Sequence, residues 1–187
     1  MMRRNTVLAV VAVLALVVAV AAISATKNPD DTGKGAQPAA AVSGGSQGTR
    51  LGSTITPLTV DDVAGRSVTI AKGSPGALFF FAGWCGSCRA EASAWGTLKR
   101  ELGTRLTITA ISPDPTDSIA AINRFKGTIG DPDYPFVWNS TGSLGTRFAV
   151  RALDTTIIYD RNGRVVFRDA APTDLKTLRA ALQRAGV

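Results

Sequence analysis

The chain has 187 residues, with 21 Lys and Arg against 14 Asp and Glu, for a net charge of +7, and it contains no histidine and two cysteines. The lack of histidine excludes Ser-His-Asp hydrolysis, Cys-His proteolysis and His-ligated zinc or copper. The basic residues are dispersed and not interleaved with aromatics, so the positive balance suits an anionic membrane surface or acidic partners and argues against nucleic acid.

The N-terminal segment reads unlike the rest. Arg3 and Arg4 precede an unbroken apolar run from Val7 to Ile23. The run is near the lower length limit for a transmembrane helix and longer than the usual core of a signal peptide. The two arginines would hold the N-terminus in the cytoplasm and place all that follows outside it. Residues 1–25 are therefore expected to be a signal-anchor in the cell membrane. Ile23-Ser24-Ala25 also allows cleavage, which would make the protein secreted. No cysteine lies near residue 25, so a lipid anchor on an N-terminal cysteine is unavailable. Residues 26–52, with Gly44-Gly45-Ser46-Gln47-Gly48, read as a flexible linker whose reach is roughly 25–30 Å.

Residues 53–187 are enough for one domain with a real core. Ser67 to Ile70 is expected to be a short strand. Ala77-Leu78-Phe79-Phe80-Phe81 is a continuous apolar run, as in a strand covered on both faces. A helix is expected from about Cys85 to Leu102, stopped by Gly103. Leu106 to Ile111 reads as a buried strand. Ile119, Ile122 and Phe125 recur at helical spacing up to Ile129. Phe136-Val137-Trp138 is a short extended piece, and Leu144 to Phe148 one or two helical turns. Thr155 to Tyr159 and Val165 to Phe167 flank Asn162-Gly163, a hairpin signal. Thr173 is expected to cap a last helix carrying Leu175, Leu178 and Leu182. Strands joined through a helix should be parallel and the final hairpin antiparallel. The expectation is an α/β domain with a mixed central sheet and helices on both faces.

The chemistry is concentrated in Trp84-Cys85-Gly86-Ser87-Cys88, between a buried strand and a helix. Cys85, at the helix start, would be favoured as a thiolate by free N–H groups and the macrodipole. Cys88, about one turn on, can resolve the mixed disulfide that Cys85 forms with a partner. A zinc half-site would need ligands that the chain lacks as Cys or His. A static disulfide over so short a loop would add little. Gly86 and Ser87 bring no charge to the pair, which argues against an extremely oxidising couple. Arg89 either helps hold negative charge or is a solvated helix side chain. Trp84 offers an apolar rim for substrates, or is a half-buried core aromatic.

The stretch Phe81-Ala82-Gly83-Trp84-Cys85-Gly86-Ser87-Cys88-Arg89-Ala90-Glu91, with the later Val150-Arg151-Ala152-Leu153-Asp154-Thr155-Thr156 and the Asn162-Gly163 hairpin, resembles the TlpA/ResA-like branch of the thioredoxin superfamily. The resemblance implies a thioredoxin-like fold and a membrane-tethered or secreted thiol–disulfide oxidoreductase without cofactor. It implies that Glu91 lies near the cysteines, where a buried carboxyl can move protons for Cys88. The alternative is a surface Glu in the first turns of a helix. Where that branch often has a helix-kinking proline after the acid, this chain has Ser93. The resemblance also places Asp154 and Thr155 opposite the cysteine pair, among the substrate-binding positions. The superfamily usually has a cis-proline at the place of Asp154. An aspartate there implies a trans bond and a differently shaped loop. Its carboxylate would oppose a thiolate on Cys85 and make the dithiol more reducing. It also makes a Cys-Cys-Asp metal site conceivable, although no resident metal is expected. The remaining alternative is a loop Asp pointing into solvent.

The resemblance implies partners of two kinds: proteins with exchangeable thiols or disulfides, such as apocytochrome c, and a membrane electron donor of the CcdA/DsbD type. A disulfide-forming oxidase would use the same residues with electrons flowing the other way. A peroxiredoxin-like peroxidase would want a threonine three residues before its reactive cysteine, where this chain has Ala82. A metal- or partner-binding module is the non-enzymatic alternative.

Overall fold

The computed structural model describes residues 50–187. The expected membrane span and most of the linker lie outside these residues. Among the described residues no helix is long and apolar enough to cross a membrane.

Two sheets are built in chain order. Strands β1 (Leu58–Asp61) and β2 (Ser67–Ile70) pair antiparallel as a small sheet of their own. β2 is the strand expected from Ser67 to Ile70, whereas β1, four residues long with none fully buried, was not expected. The main sheet has the order β5-β4-β3-β6-β7. At its centre is β3 (Gly76–Phe80), every residue of it buried. It runs parallel to β4 (Thr107–Ser112), which runs parallel to β5 (Phe136–Trp138). On the other side β3 pairs antiparallel with β6 (Thr155–Tyr159), and β6 pairs antiparallel with β7 (Val165–Ala170). The mixed sheet expected from the connections is present.

Both faces are covered, but unequally. One carries α1 (Cys88–Leu102), α2 (Ile119–Thr128) and α4 (Leu175–Arg184), packed on Phe79, Phe81, Ile108, Phe136 and Ile158. The other is covered by the five-residue α3 (Ser143–Arg147), by Ile70 of the small sheet and by Ile55. Burial of each large side chain stabilises the fold by about 1.5–3 kcal/mol. Phe81 packs against Phe125 at 4.8 Å and edge-on against Phe136 at 5.5 Å between ring centroids. The end of β3 is thereby pinned just before the cysteines.

Two element boundaries differ from expectation with consequences for the site. The helix begins at Cys88, so Cys85 lies outside its first turn. The Cys85 N–H instead bonds back to the Ala82 carbonyl at 2.9 Å, closing a turn between strand and helix. The cap of α4 is Asp174, whose carboxylate accepts from the Thr177 N–H at 2.7 Å. Thr173 is buried and used elsewhere. Gly103 ends α1 at φ 56°, as expected.

Candidate active site

Cys85 and Cys88 are joined by a disulfide with Cα atoms 5.5 Å apart. Cys88 is fully buried at the base of α1, whereas Cys85 keeps 5 % exposure and adjoins exposed Gly86 and Trp84. A partner's thiolate therefore reaches Cys85 first. The fifteen-residue α1 points its N-terminus at the pair, so its free N–H groups favour negative charge there.

The loop that carries Cys85 is held from one side by Asp117. Its Oδ2 accepts from the Gly83 N–H at 2.7 Å and from the Ser112 hydroxyl at 2.6 Å, and Oδ1 accepts from the Ser118 N–H at 2.9 Å. One carboxylate thus ties the end of β4, the start of α2 and the active-site turn. Gly83 is required there, because a Cβ would come within 2.8 Å of the Ala121 backbone and of Asp117. Trp84 is 65 % exposed. Its indole N–H donates to Asp114 Oδ2 at 2.7 Å, which keeps the ring standing as a rim. Hydrogen bonds from the Thr116 backbone and from the Trp84 indole hold the Asp114 carboxyl below the usual carboxylate range. The half-buried alternative for Trp84 is thereby overturned, and Arg89 is exposed.

Asp154 faces the disulfide from the opposite loop. It is only 3 % exposed, and a carboxylate oxygen lies within 4.8 Å of both sulfurs. The solvent-pointing alternative is therefore wrong. Asp154 sits at φ 58°, in the left-handed region that aspartate tolerates better than most residues. No cis peptide bond occurs among the described residues, so this loop is trans. Ser87 joins the two sides: its hydroxyl donates to Asp154 Oδ2 at 2.8 Å and lies 3.4 Å from Cys85 Sγ. Ser87 is at the helix N-cap, yet its side chain serves Asp154 and not the helix backbone. Burial pushes the Asp154 carboxyl up, and the Ser87 bond pulls it partly back. Thr155 is wholly buried, and its hydroxyl donates to the Ala152 carbonyl at 2.7 Å. It shapes the loop and presents no surface to a substrate. A side chain at Gly86 would meet nothing within 4 Å, so this position is open.

Glu91 is 1 % exposed, three residues after Cys88 on the same buried face of α1. The surface alternative fails. Its Oε1 accepts from the Thr156 hydroxyl at 2.5 Å and from the Trp95 indole at 3.2 Å, and Oε2 accepts from the Thr173 N–H at 2.9 Å. Burial is the largest influence and raises the carboxyl to about 7, against the pull of the donors. Thr173 also donates its hydroxyl to Asp169, whose carboxyl burial likewise raises.

Thr156, Trp95, Thr173 and Asp169 escaped sequence reading as parts of this site. Trp95 had a signal, since it stands four residues after Glu91 on a helix. Thr156 pairs directly across from Phe79 and from Asp169, and so shares the α1 face of the sheet. Strand alternation separates it from Thr155, but the register that decides this comes only from the fold.

The fold and the Cys-Gly-Ser-Cys disulfide define a thioredoxin-like domain that carries a thiol–disulfide couple. The chain belongs to the AhpC/TSA family, whose pattern matches residues 51–168. Two curated proteins are similar. Mercury resistance operon ORF3 of Streptomyces lividans is 29 % identical over 123 residues, 64 % of this chain and 65 % of that protein. The thiol:disulfide interchange protein DsbE homolog of Paracoccus denitrificans is 34 % identical over 93 residues, 50 % of this chain and 49 % of its own length. The matches thus span less than two thirds of either relative. Among solved structures, the thiol:disulfide interchange protein DsbE from Chlorobium tepidum superposes with a TM-score of 0.64 at 20 % identity, covering 73 % of this chain and 97 % of that one. These likenesses agree with the TlpA/ResA-like resemblance.

Proposed function

We propose that the protein is an extracytoplasmic thiol–disulfide oxidoreductase, tethered to the membrane by residues 1–25, that reduces disulfides of exported proteins. The observation that carries the direction is Asp154. A buried carboxyl against both sulfurs, with only a neutral hydroxyl bound to it, opposes a thiolate on Cys85. A thiolate that is poorly stabilised gives up its electrons readily, so the dithiol is a reductant. The apolar rim of Trp84 and the open space at Gly86 suit an extended segment of a substrate protein.

The steps follow from exposure. In the reduced enzyme, Cys85 attacks a sulfur of the substrate disulfide, and one substrate thiolate leaves. Cys88 then attacks Cys85 Sγ, the mixed disulfide breaks, and the second substrate thiolate is released and protonated. Glu91, poised at about 7 one turn from Cys88, is suited to take the Cys88 proton. Haem-binding cysteines of apocytochrome c are the proposed substrates, in keeping with the DsbE-named relative. A membrane dithiol donor of the CcdA/DsbD type would re-reduce the pair.

The deciding measurement is the reduction potential. A value well below about −200 mV supports the reductant, and one near −120 mV would make the protein an oxidant. A Cys88→Ala variant should trap substrates on Cys85 for identification by mass spectrometry. The peroxidase alternative lacks a hydroxyl at Ala82, and peroxide turnover by Cys88→Ser would revive it.

A further inference from the structure

We propose that the reduced cysteine pair and Asp154 form a binding site for a divalent cation of the zinc and cadmium type, with Cys85 Sγ, Cys88 Sγ and one Asp154 oxygen as ligands. This goes beyond disulfide exchange and needs only that the pair can be reduced. The three ligand atoms already lie within 4.8 Å of one another, all on buried residues. Asp154 Oδ1 is buried with no hydrogen-bond partner. The only two ion pairs among the described residues join Arg66 to Asp62 and Arg179 to Glu101, so Asp154 has no ion-pair partner to compensate it. A buried carboxylate without a counter-charge is costly, and a divalent cation supplies that charge.

The donor set selects the cation. Two thiolates and a carboxylate suit a tetrahedral, redox-inert ion of borderline softness and not magnesium or calcium. Tetrahedral zinc would hold its two sulfurs roughly 3.8 Å apart, as follows from Zn–S bonds of about 2.3 Å. With Cα atoms 5.5 Å apart, the sulfurs can open to that separation by side-chain rotation once the disulfide is broken. The Ser87 hydroxyl orients the carboxylate through Oδ2, as outer partners of metal ligands do. The residual exposure of Cys85 leaves the fourth position to water. A dithiol donor gives two electrons and two protons to the Cys85–Cys88 disulfide, yielding two thiols. The cation then replaces both thiol protons, and exchange is blocked while it is bound.

The test uses the full chain, reduced anaerobically with a dithiol, desalted and titrated with Cd²⁺. One cadmium per chain is expected, seen as thiolate-to-cadmium charge-transfer absorption. Cys85→Ser and Cys88→Ser should each lose the band. Asp154→Asn should weaken binding by at least about 10-fold while two thiols still titrate, and Ser87→Ala, which spares all three ligands, by roughly 10-fold. Wild-type affinity in both Asp154→Asn and Ser87→Ala would overturn the site. So would two titratable thiols in the wild type without stoichiometric cadmium, an outcome that leaves disulfide exchange standing. Failure to obtain two thiols at all would overturn the exchange reading as well.

Discussion

At the scale of single residues, Glu91 is a carboxyl held almost wholly out of water, 1 % exposed. Three donors converge on it, yet burial dominates and brings its carboxyl to about 7. A protonated Glu91 can donate to the Thr156 hydroxyl and still accept from Thr173, which the isosteric amide of Gln imitates. Glu91→Gln should therefore fold, but resolution by Cys88 should slow by about 100-fold and lose its inflection near pH 7. Stopped-flow measurement of mixed-disulfide release against pH checks this, and an unchanged profile would remove Glu91 from proton transfer. Trp84 makes a different demand. It is exposed and fixed by Asp114, so Trp84→Ala should raise KM for protein substrates and leave the reduction potential of the cysteines unaltered. Gly83 is a packing constraint: Gly83→Ala forces a Cβ against the α2 backbone and should cost about 1–3 kcal/mol in urea unfolding.

At the scale of elements, the site exists because four pieces of chain end at one place. The turn between β3 and α1, the end of β4, the start of α2 and the loop before β6 meet there. Asp117 is the clasp among three of them. Asp117→Ala leaves the Gly83 N–H and the Ser112 hydroxyl without their partner, and should destabilise the domain by about 3 kcal/mol. Denaturant unfolding with an unchanged m-value would verify it. The elements themselves were largely legible in the sequence. The apolar run at β3, the Asn162-Gly163 turn and the Ile122 and Phe125 spacing each state their structure locally. β1 was not legible, because four residues, none of them buried, carry no pattern apart from the partner strand beside them. Thr173 does not cap α4, although its position suggests it. A threonine before a helix usually bonds to that helix, and only the approach of Glu91 and Asp169 diverts it.

For the whole molecule, stability should carry the mark of its buried acids. Glu91 has an ordinary value of 4.5 and a folded value of about 7, so between these the folded state holds more protons than the unfolded chain. Its contribution is complete below pH 4.5 and is lost as the pH rises to 7, on the order of 3 kcal/mol. Burial raises Asp154 and Asp169 too, and they act with the same sign. Urea midpoints should fall across this window in the wild type and flatten in Glu91→Gln. A rise with pH would contradict the assignment. The disulfide closes a loop of only a few residues, so its reduction should change stability by roughly 2 kcal/mol or less. Matched unfolding curves with and without reductant test whether both redox forms share one fold.

The sequence by itself determined the class of chemistry, the order of the elements and the mixed sheet. Those rest on local signals: two cysteines at fixed spacing, periodicity and turn residues. Only the tertiary structure decided what surrounds the sulfurs. Asp154 lies 66 positions beyond Cys88 and Thr173 lies 82 beyond Glu91, and no local pattern says that they meet. Strand register brings Thr156 under α1, and a left-handed turn aims Asp154 at the disulfide. The charge states of the site follow from that convergence, because desolvation depends on everything packed around a carboxyl and not on its neighbours in the chain.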